Sequence, residues 1–423
     1  MNEMLQTLNK LCSFKSVTQR TDDPAFPYGE EANKALKFML DTCKGFGFRT
    51  VNLDNQLGYA EIGEGDELFG ILAHLDVVPV GSGWDHEPFA ATVADDGYIY
   101  GRGVVDDKGP AVASVYAMKD VLESGRKFNK RIRIIFGQTE EKGPWSDMEY
   151  YKAHEELPTM GITPDADFPA LYGEKGIFHF TLSMPKDKAG FISVSGGQAA
   201  NMVADEASGS VNCGGVVRDF YEQGKSAHGS TPQDGKNAIS MLMAEVGDAT
   251  DKCGMANFYN KYIGFEVHGE SFGLDYTDEE SGRLTMNVGK IQMTEDTVDL
   301  LMDIRYPVTM QFNDIIAKID AVIKDEGLEL TISENKAPIY MDKNSELITK
   351  LVEVYRDITG RDDEPGVIGG GTYARAMPNI VAFGPMIPGR ECTEHQRNER
   401  ILLEDYLLLR EVYGEAFKRI CTE

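Results

Sequence analysis

Long hydrophobic runs are missing from this sequence. No stretch of 18 consecutive apolar residues occurs in its 423 positions, which excludes a bilayer-spanning helix. Basic side chains are scarce as well. Lys and Arg total 42 against 69 Asp and Glu, a formal charge of -27, so the averaged field repels phosphate backbones and anionic lipid surfaces. Neither nucleic acid nor a membrane is therefore an expected partner. Cysteine is sparse: Cys12, Cys43, Cys213, Cys253, Cys392 and Cys421 are scattered without CxxC spacing. That pattern fits reduced thiols and argues against a disulfide or thiolate-zinc framework. The opening MNEMLQTLNKLCSF has neither a basic leader followed by an apolar run nor a small-residue cleavage site, so a cytoplasmic location is expected. Internal repeats, low-complexity tracts and Pro/Ser-rich linkers are absent too. What is present is 42% hydrophobic residues, enough for a large core in two or three domains.

Residues 30–44 place Leu36, Met39, Leu40 and Cys43 at helical spacing with Gly45 as a stop, and the apolar run 68–74 ends at His74. Beyond Lys108 and Gly109, Val112, Val115, Met118 and Leu122 form a helical stripe. RIRIIFG (131–137) then reads as a strand whose end delivers Glu140 and Glu141. In such open α/β sheets, ligands gather at the carboxyl ends of strands. The pattern changes after about residue 182. FISVSGG, GGVVRDFYEQG, RLTMNVGKI and TVDLLMDIRYP alternate in polarity, with helical patterns at 237–247 and 312–326, as in an α+β segment with an antiparallel sheet. From Ser345 alternating helices and buried strands return: Leu347, Leu351, Val354 and Ile358 form a stripe, 379–384 is a buried strand, and 399–419 a closing helix. The expected architecture is an α/β domain with a central mixed sheet flanked by helices, residues 1–182 and 341–423, interrupted by an α+β insertion at 183–340.

Several element ends carry chemistry. His74 and Asp76 share a face in extended backbone, so the carboxylate can hold the second imidazole nitrogen, although HxD also occurs as plain structure. Asp106 and Asp107 precede Lys108, where a turn either aims a carboxylate at a metal or simply caps a helix. Glu140 and Glu141 point opposite ways in extended geometry, which suits one metal ligand and one proton carrier as well as it suits a solvated acidic turn. TPDADFP offers Asp165 and Asp167, and ECTEHQRNE offers Glu394 and His395. Imidazoles and carboxylates without thiolates favour zinc, manganese or cobalt, and with them hydrolytic chemistry.

Occurring in this order over nearly the whole chain, these pieces resemble the dizinc exopeptidases. HLDVVPVGSGW, PF and GRGVVDDKG together are the most specific part of the likeness. The family includes aminoacylase, carnosinase and succinyl-diaminopimelate desuccinylase, and the sequence is most similar to its peptidase V-like dipeptidases. The resemblance implies a phosphorylase/hydrolase-like catalytic domain with a ferredoxin-like lid and two divalent ions, zinc first, with manganese or cobalt as alternatives. It puts His74 and Asp165 on one ion, Glu141 and His395 on the other, and Asp106 between them. Asp165 is the aspartate directly after proline; Asp167 is the alternative if the turn is shifted. Glu140 is implied as general base and acid acting on a metal-bridging water, with Asp76 orienting His74.

The same resemblance gives lid residues their roles. His228 in GKSAHGSTP is the oxyanion donor, Asn201 and Arg305 hold the substrate carbonyl and terminal carboxylate, and GGGTYAR, with Gly370 and Gly371, lies beside the substrate terminus. Closure of the lid is expected to complete the site. His86, His154, His179 and His268 match no catalytic position. The implied activity is that of a dipeptidase acting on small peptides with a free amino terminus. An N-acyl amino acid deacylase is the alternative, and an inactive metal-stabilised scaffold would have lost Glu140 or a ligand. The enlarged lid implies a monomer, with a homodimer as the alternative. Cys392, where relatives commonly carry an acid, and Ala204, in place of a usual proline, depart from the pattern.

Overall fold

Strand Leu68–His74 is buried along its whole length, as a continuous apolar run between parallel neighbours should be. In the computed structural model, which describes residues 2–423, it runs parallel to Arg131–Gly137 on one side and Met160–Thr163 on the other. The mixed sheet continues through Arg49–Leu53 and Leu57–Ile62 at one end, Ile380–Ala382 and Leu171–Glu174 at the other. Register sets where the parallel strands stop: His74 lies opposite Gly137. The residues that follow, Asp76, Glu140, Glu141 and Asp165, therefore leave the sheet at the carboxyl ends of three adjacent strands.

Helices Glu30–Gly45, Lys108–Glu123, Glu346–Thr359 and Leu403–Cys421 flank this sheet. Lys108–Glu123 buries twelve of its sixteen residues, because both a strand layer and Leu403–Cys421 cover it. Lys108 itself has no exposed surface. Its Nζ donates to the carbonyls of Leu11 at 3.3 Å and Phe14 at 2.8 Å, a cation placed at the C-terminal end of helix Glu3–Cys12. Burial lowers its pKa to about 8. The lysine of the GRGVVDDKG string thus has a packing role that its neighbours' chemistry concealed.

The chain forms two units. One holds residues up to Tyr172, Met341–Gly366 and Thr372–Glu423; the other holds Gly173–Tyr340 and Val367–Gly371. The first crossing comes earlier than the boundary expected near residue 182. Gly176–Pro185 is already a strand of the second sheet, paired with Thr297–Tyr306 and Glu329–Lys336. That sheet is antiparallel, with seven strands in the order Val216–Gln223, Glu206–Cys213, Phe191–Gly197, Thr285–Met293, Thr297–Tyr306, Gly176–Pro185 and Glu329–Lys336. Phe178, Phe180, Leu182 and Met184 alternate inward and share a core with helices Ala238–Ala249, Gly254–Tyr262 and Phe312–Ile323. GGVVRDFYEQG does form a strand, but as an edge strand whose residues are mostly exposed. All six cysteines are free, and no helix among the described residues is long and apolar enough to cross a membrane.

Candidate metal centre

Two imidazoles meet opposite oxygens of one carboxylate. His74 Nε2 lies 2.9 Å from Asp106 Oδ1, and His395 Nε2 lies 2.9 Å from Asp106 Oδ2. Glu141 Oε2 is 3.0 Å from His395 Nε2, and Asp165 Oδ2 is 3.7 Å from His74 Nε2. The donor atoms fall into two compact groups, His74 with Glu140 and Asp165, and Asp106 with Glu141 and His395, each spanning no more than 4.8 Å. Asp167 is exposed and belongs to neither group.

His74 Nε2 and Glu141 Oε1 are buried yet make no hydrogen bond. A buried donor or acceptor left unpaired is costly, and a divalent ion bound in each donor group would satisfy the one that belongs to it. Charge gives the same answer. Burial raises Glu140 well above the usual carboxylate range, with Asp165 adding to it, and burial and Asp106 bring Glu141 to about 7 and Asp165 to about 6. Burial works against protonation of His74 and His395, but the surrounding carboxylates outweigh it and raise both. Crowded acids holding protons they would otherwise shed are a donor set suited to two divalent ions.

The supports of these ligands are backbone bonds. His74 Nδ1 is 3.0 Å from the carbonyl of Asp76, which directs Nε2 toward Asp106. The Asp76 carboxylate expected to orient that ring stands 3.4 Å off. It is turned instead on the amides of Glu140 and Glu141, each at 3.2 Å, and on Thr18 Oγ1 at 3.0 Å. Two successive N–H groups at a strand end outcompete one ring nitrogen already served by a carbonyl. Asp147 accepts from Gln138 N, Thr139 N and Tyr373 Oη at 2.6, 3.0 and 2.6 Å, fixing the turn just before Glu140.

Glu399 does the same for Asp106. Its Oε1 accepts from Gly103, Val105 and Asp106 amides at 3.0, 2.9 and 3.3 Å, while Oε2 pairs with Arg102 at 2.6 Å. Four residues upstream, His395 adopts a left-handed backbone with φ 61°, uncommon for a residue with a Cβ. One buried carboxylate thus joins the segment bearing His395 to the loop bearing Asp106. No pattern in the sequence marks Asp147 or Glu399, since both act on backbone groups.

A second cluster lies within the other unit. Arg305 spends its Nε and Nη2 on Asp303, at 2.8 and 3.0 Å, and donates Nη1 to Gly369 O at 2.8 Å. The side fork expected to meet a substrate is therefore already filled. His228 Nδ1 receives the Ser230 amide at 3.2 Å and lies 2.6 Å from Ser230 Oγ, leaving Nε2 as the protonated nitrogen. Asn287 Nδ2 holds the carbonyls on both sides of Asn201, Ala200 at 2.8 Å and Met202 at 2.9 Å. In the glycine run, the close approach falls on Gly369 rather than on Gly370. A Cβ at Gly369 would stand 2.9 Å from Ser230 Cβ, whereas one at Gly370 would meet nothing nearer than 3.7 Å.

These features agree with what the chain resembles among known proteins. A Staphylococcus saprophyticus protein named "Putative dipeptidase" is 36% identical, covering 99% of this chain and 97% of its own. YtjP of Bacillus subtilis, also named "Putative dipeptidase", is 35% identical over 94% and 92%. Among solved structures, human carnosine dipeptidase 1 matches with a TM-score of 0.64 at 16% identity, over 98% of this chain and 95% of that one. A metallo-carboxypeptidase from Sulfolobus solfataricus matches at 0.62 and 18%, over 99% of both. At such identities the structures speak for the fold alone. The family described as "Peptidase family M20/M25/M40" matches residues 70–419, and with full-length relatives above 30% identity the chain belongs to that peptidase family.

Proposed function

We propose that the chain is a metal-dependent dipeptidase of the aminopeptidase type, hydrolysing short peptides with a free amino terminus. The observation that carries this reading is Asp106 shared between His74 and His395, with a glutamate pair alongside. Full-length similarity to proteins named as dipeptidases supports dipeptides as the substrates. His74 and Asp165 would hold one divalent ion, Glu141 and His395 the other, and Asp106 both, with zinc the first candidate for this nitrogen and oxygen set. Bound there, the ions supply Lewis acidity toward the peptide carbonyl and lower the pKa of the attacking water.

Glu140 takes the proton of that water and returns it to the leaving amine. A buried carboxylate whose affinity for protons is raised is suited to both steps. His228 donates from Nε2 to the developing oxyanion, a role consistent with Nδ1 being held by the Ser230 amide. Asn201 takes the substrate carbonyl, and Arg305 the terminal carboxylate, end-on through the N–H groups that Asp303 and Gly369 leave on Nη1 and Nη2.

Glu140 stands within ligand distance of His74 and Asp165, so its role needs a direct test. Glu140→Gln should retain two metal ions by elemental analysis while kcat falls by about 10²–10⁴, the usual scale for general acid–base catalysis. Loss of one ion would make Glu140 a ligand instead, and near-normal turnover would remove it from the mechanism.

A further inference from the structure

Asp303 has no exposed surface and no place in the catalytic reading, yet it holds Arg305 and packs against His179 and Gly229. Strand register puts it there. In Thr297–Tyr306 it faces His179 across one ladder and Asn287 across the other, and it precedes Arg305 by two residues, hence on the same face. Its carboxylate fills the Nε and Nη2 edge of Arg305. His179 Nε2 stands 3.4 Å away. Oδ2 also lies 2.5 Å from where a Cβ on Gly229 would sit, so the backbone directly after His228 packs against this carboxylate and only glycine fits. The Gly229 amide in turn donates to Asn201 O at 2.8 Å.

We propose that Asp303 is the positioning residue for substrate recognition: it turns Arg305 toward the terminal carboxylate of a peptide. The proposal rests on the reading of Arg305 as the carboxylate site. A guanidinium has five N–H groups in a rigid plane. With one edge on Asp303 and one N–H on Gly369 O, two N–H groups remain, one on each terminal nitrogen. Without Asp303 the planar group would be free to rotate, and a buried guanidinium would lack its counter-charge.

The surrounding charges leave room for an anion. His179 Nδ1 is 2.9 Å from Glu334, which also lies 3.4 Å from Lys336 Nζ. Burial lowers the His179 pKa, but Asp303 and Glu334 outweigh it and raise it to about 9, so the ring is cationic at neutral pH. Among these five side chains Arg305, His179 and Lys336 exceed Asp303 and Glu334 by one positive charge, the charge one carboxylate would neutralise.

Steady-state kinetics on a dipeptide and on its C-terminal amide test the proposal, with wild type, Asp303→Asn, Arg305→Gln and the double variant. The expected result is a KM for the dipeptide raised about tenfold or more in Asp303→Asn, the scale of a lost charged hydrogen bond, with a smaller change in kcat and little change for the amide. In the Arg305→Gln background, Asp303→Asn should add nothing. The double variant removes both buried charges together and keeps the comparison available if the single variant does not fold. Equal losses on both substrates, or an additive loss in the double variant, would overturn the proposal. A wild type that treats the dipeptide and its amide alike would remove the Arg305 assignment itself and Asp303 with it, an outcome distinguished by needing no substitution.

Discussion

Glu399 holds three amides and one guanidinium with a single buried carboxylate, and the amides it holds belong to the loop that presents Asp106. Glu399→Ala should therefore act on both stability and metal retention. Removing one partner of a buried ion pair costs about 3–5 kcal/mol, visible as a lowered urea midpoint, and the variant should lose its ions at lower chelator concentration than wild type. A variant that is destabilised but retains metal as well as wild type would make Glu399 structural only. The candidate ligands His74, Asp106, Glu141, Asp165 and His395 were legible through the strings that carry the family resemblance, while the residues alone left Glu140 against Glu141 and Asp165 against Asp167 open. Glu399, Asp147 and Asp303 were not legible. Their partners are amides or a guanidinium brought near by folding; Glu399 lies 296 residues from Gly103. Asp76 was legible as a supporting residue but not for what it supports, since its carboxylate holds the Glu140 and Glu141 amides while its carbonyl holds His74.

At the scale of elements, the three parallel strands explain why ligands so far apart in sequence come together. Leu68–His74, Arg131–Gly137 and Met160–Thr163 are adjacent and end together, and each continues directly into site residues. The apolar runs of the first two made them readable, because strands covered on both faces leave little ambiguity, whereas the four-residue Met160–Thr163 was not read as a strand. The antiparallel unit was less readable. Gly176–Pro185 alternates in burial from Phe178 onward, yet begins ahead of the boundary expected near residue 182, and Val216–Gln223 alternates in sequence but lies exposed at the edge. His179 shows what register adds, since it gains its meaning from Asp303 on one neighbour and Glu334 on the other. Its pKa, about 9 in the folded chain against 6.5 unperturbed, gives stability that is fully present below pH 6.5 and is lost as pH rises through 9. The shift corresponds to an effect on the order of 3 kcal/mol. Thermal unfolding of wild type and His179→Gln from pH 6 to 10 should show a gap that closes over that window; a gap independent of pH would mean the charge on His179 contributes nothing.

For the molecule as a whole, charge, fold and site describe one enzyme. An acidic chain of 423 residues with a net charge of -27 gathers carboxylates where three strands end, and burial there makes those acids dependent on cations. Family membership assigns the resulting centre to peptide hydrolysis. The most direct measurement is turnover of dipeptides paired with their N-acetylated counterparts, by protein stripped of metal and then resupplied separately with zinc, manganese or cobalt. The account predicts silence in the stripped protein and cleavage of only the free-amine dipeptides once metal is restored. Cleavage confined to the acetylated substrates, or turnover indifferent to metal removal, would contradict it.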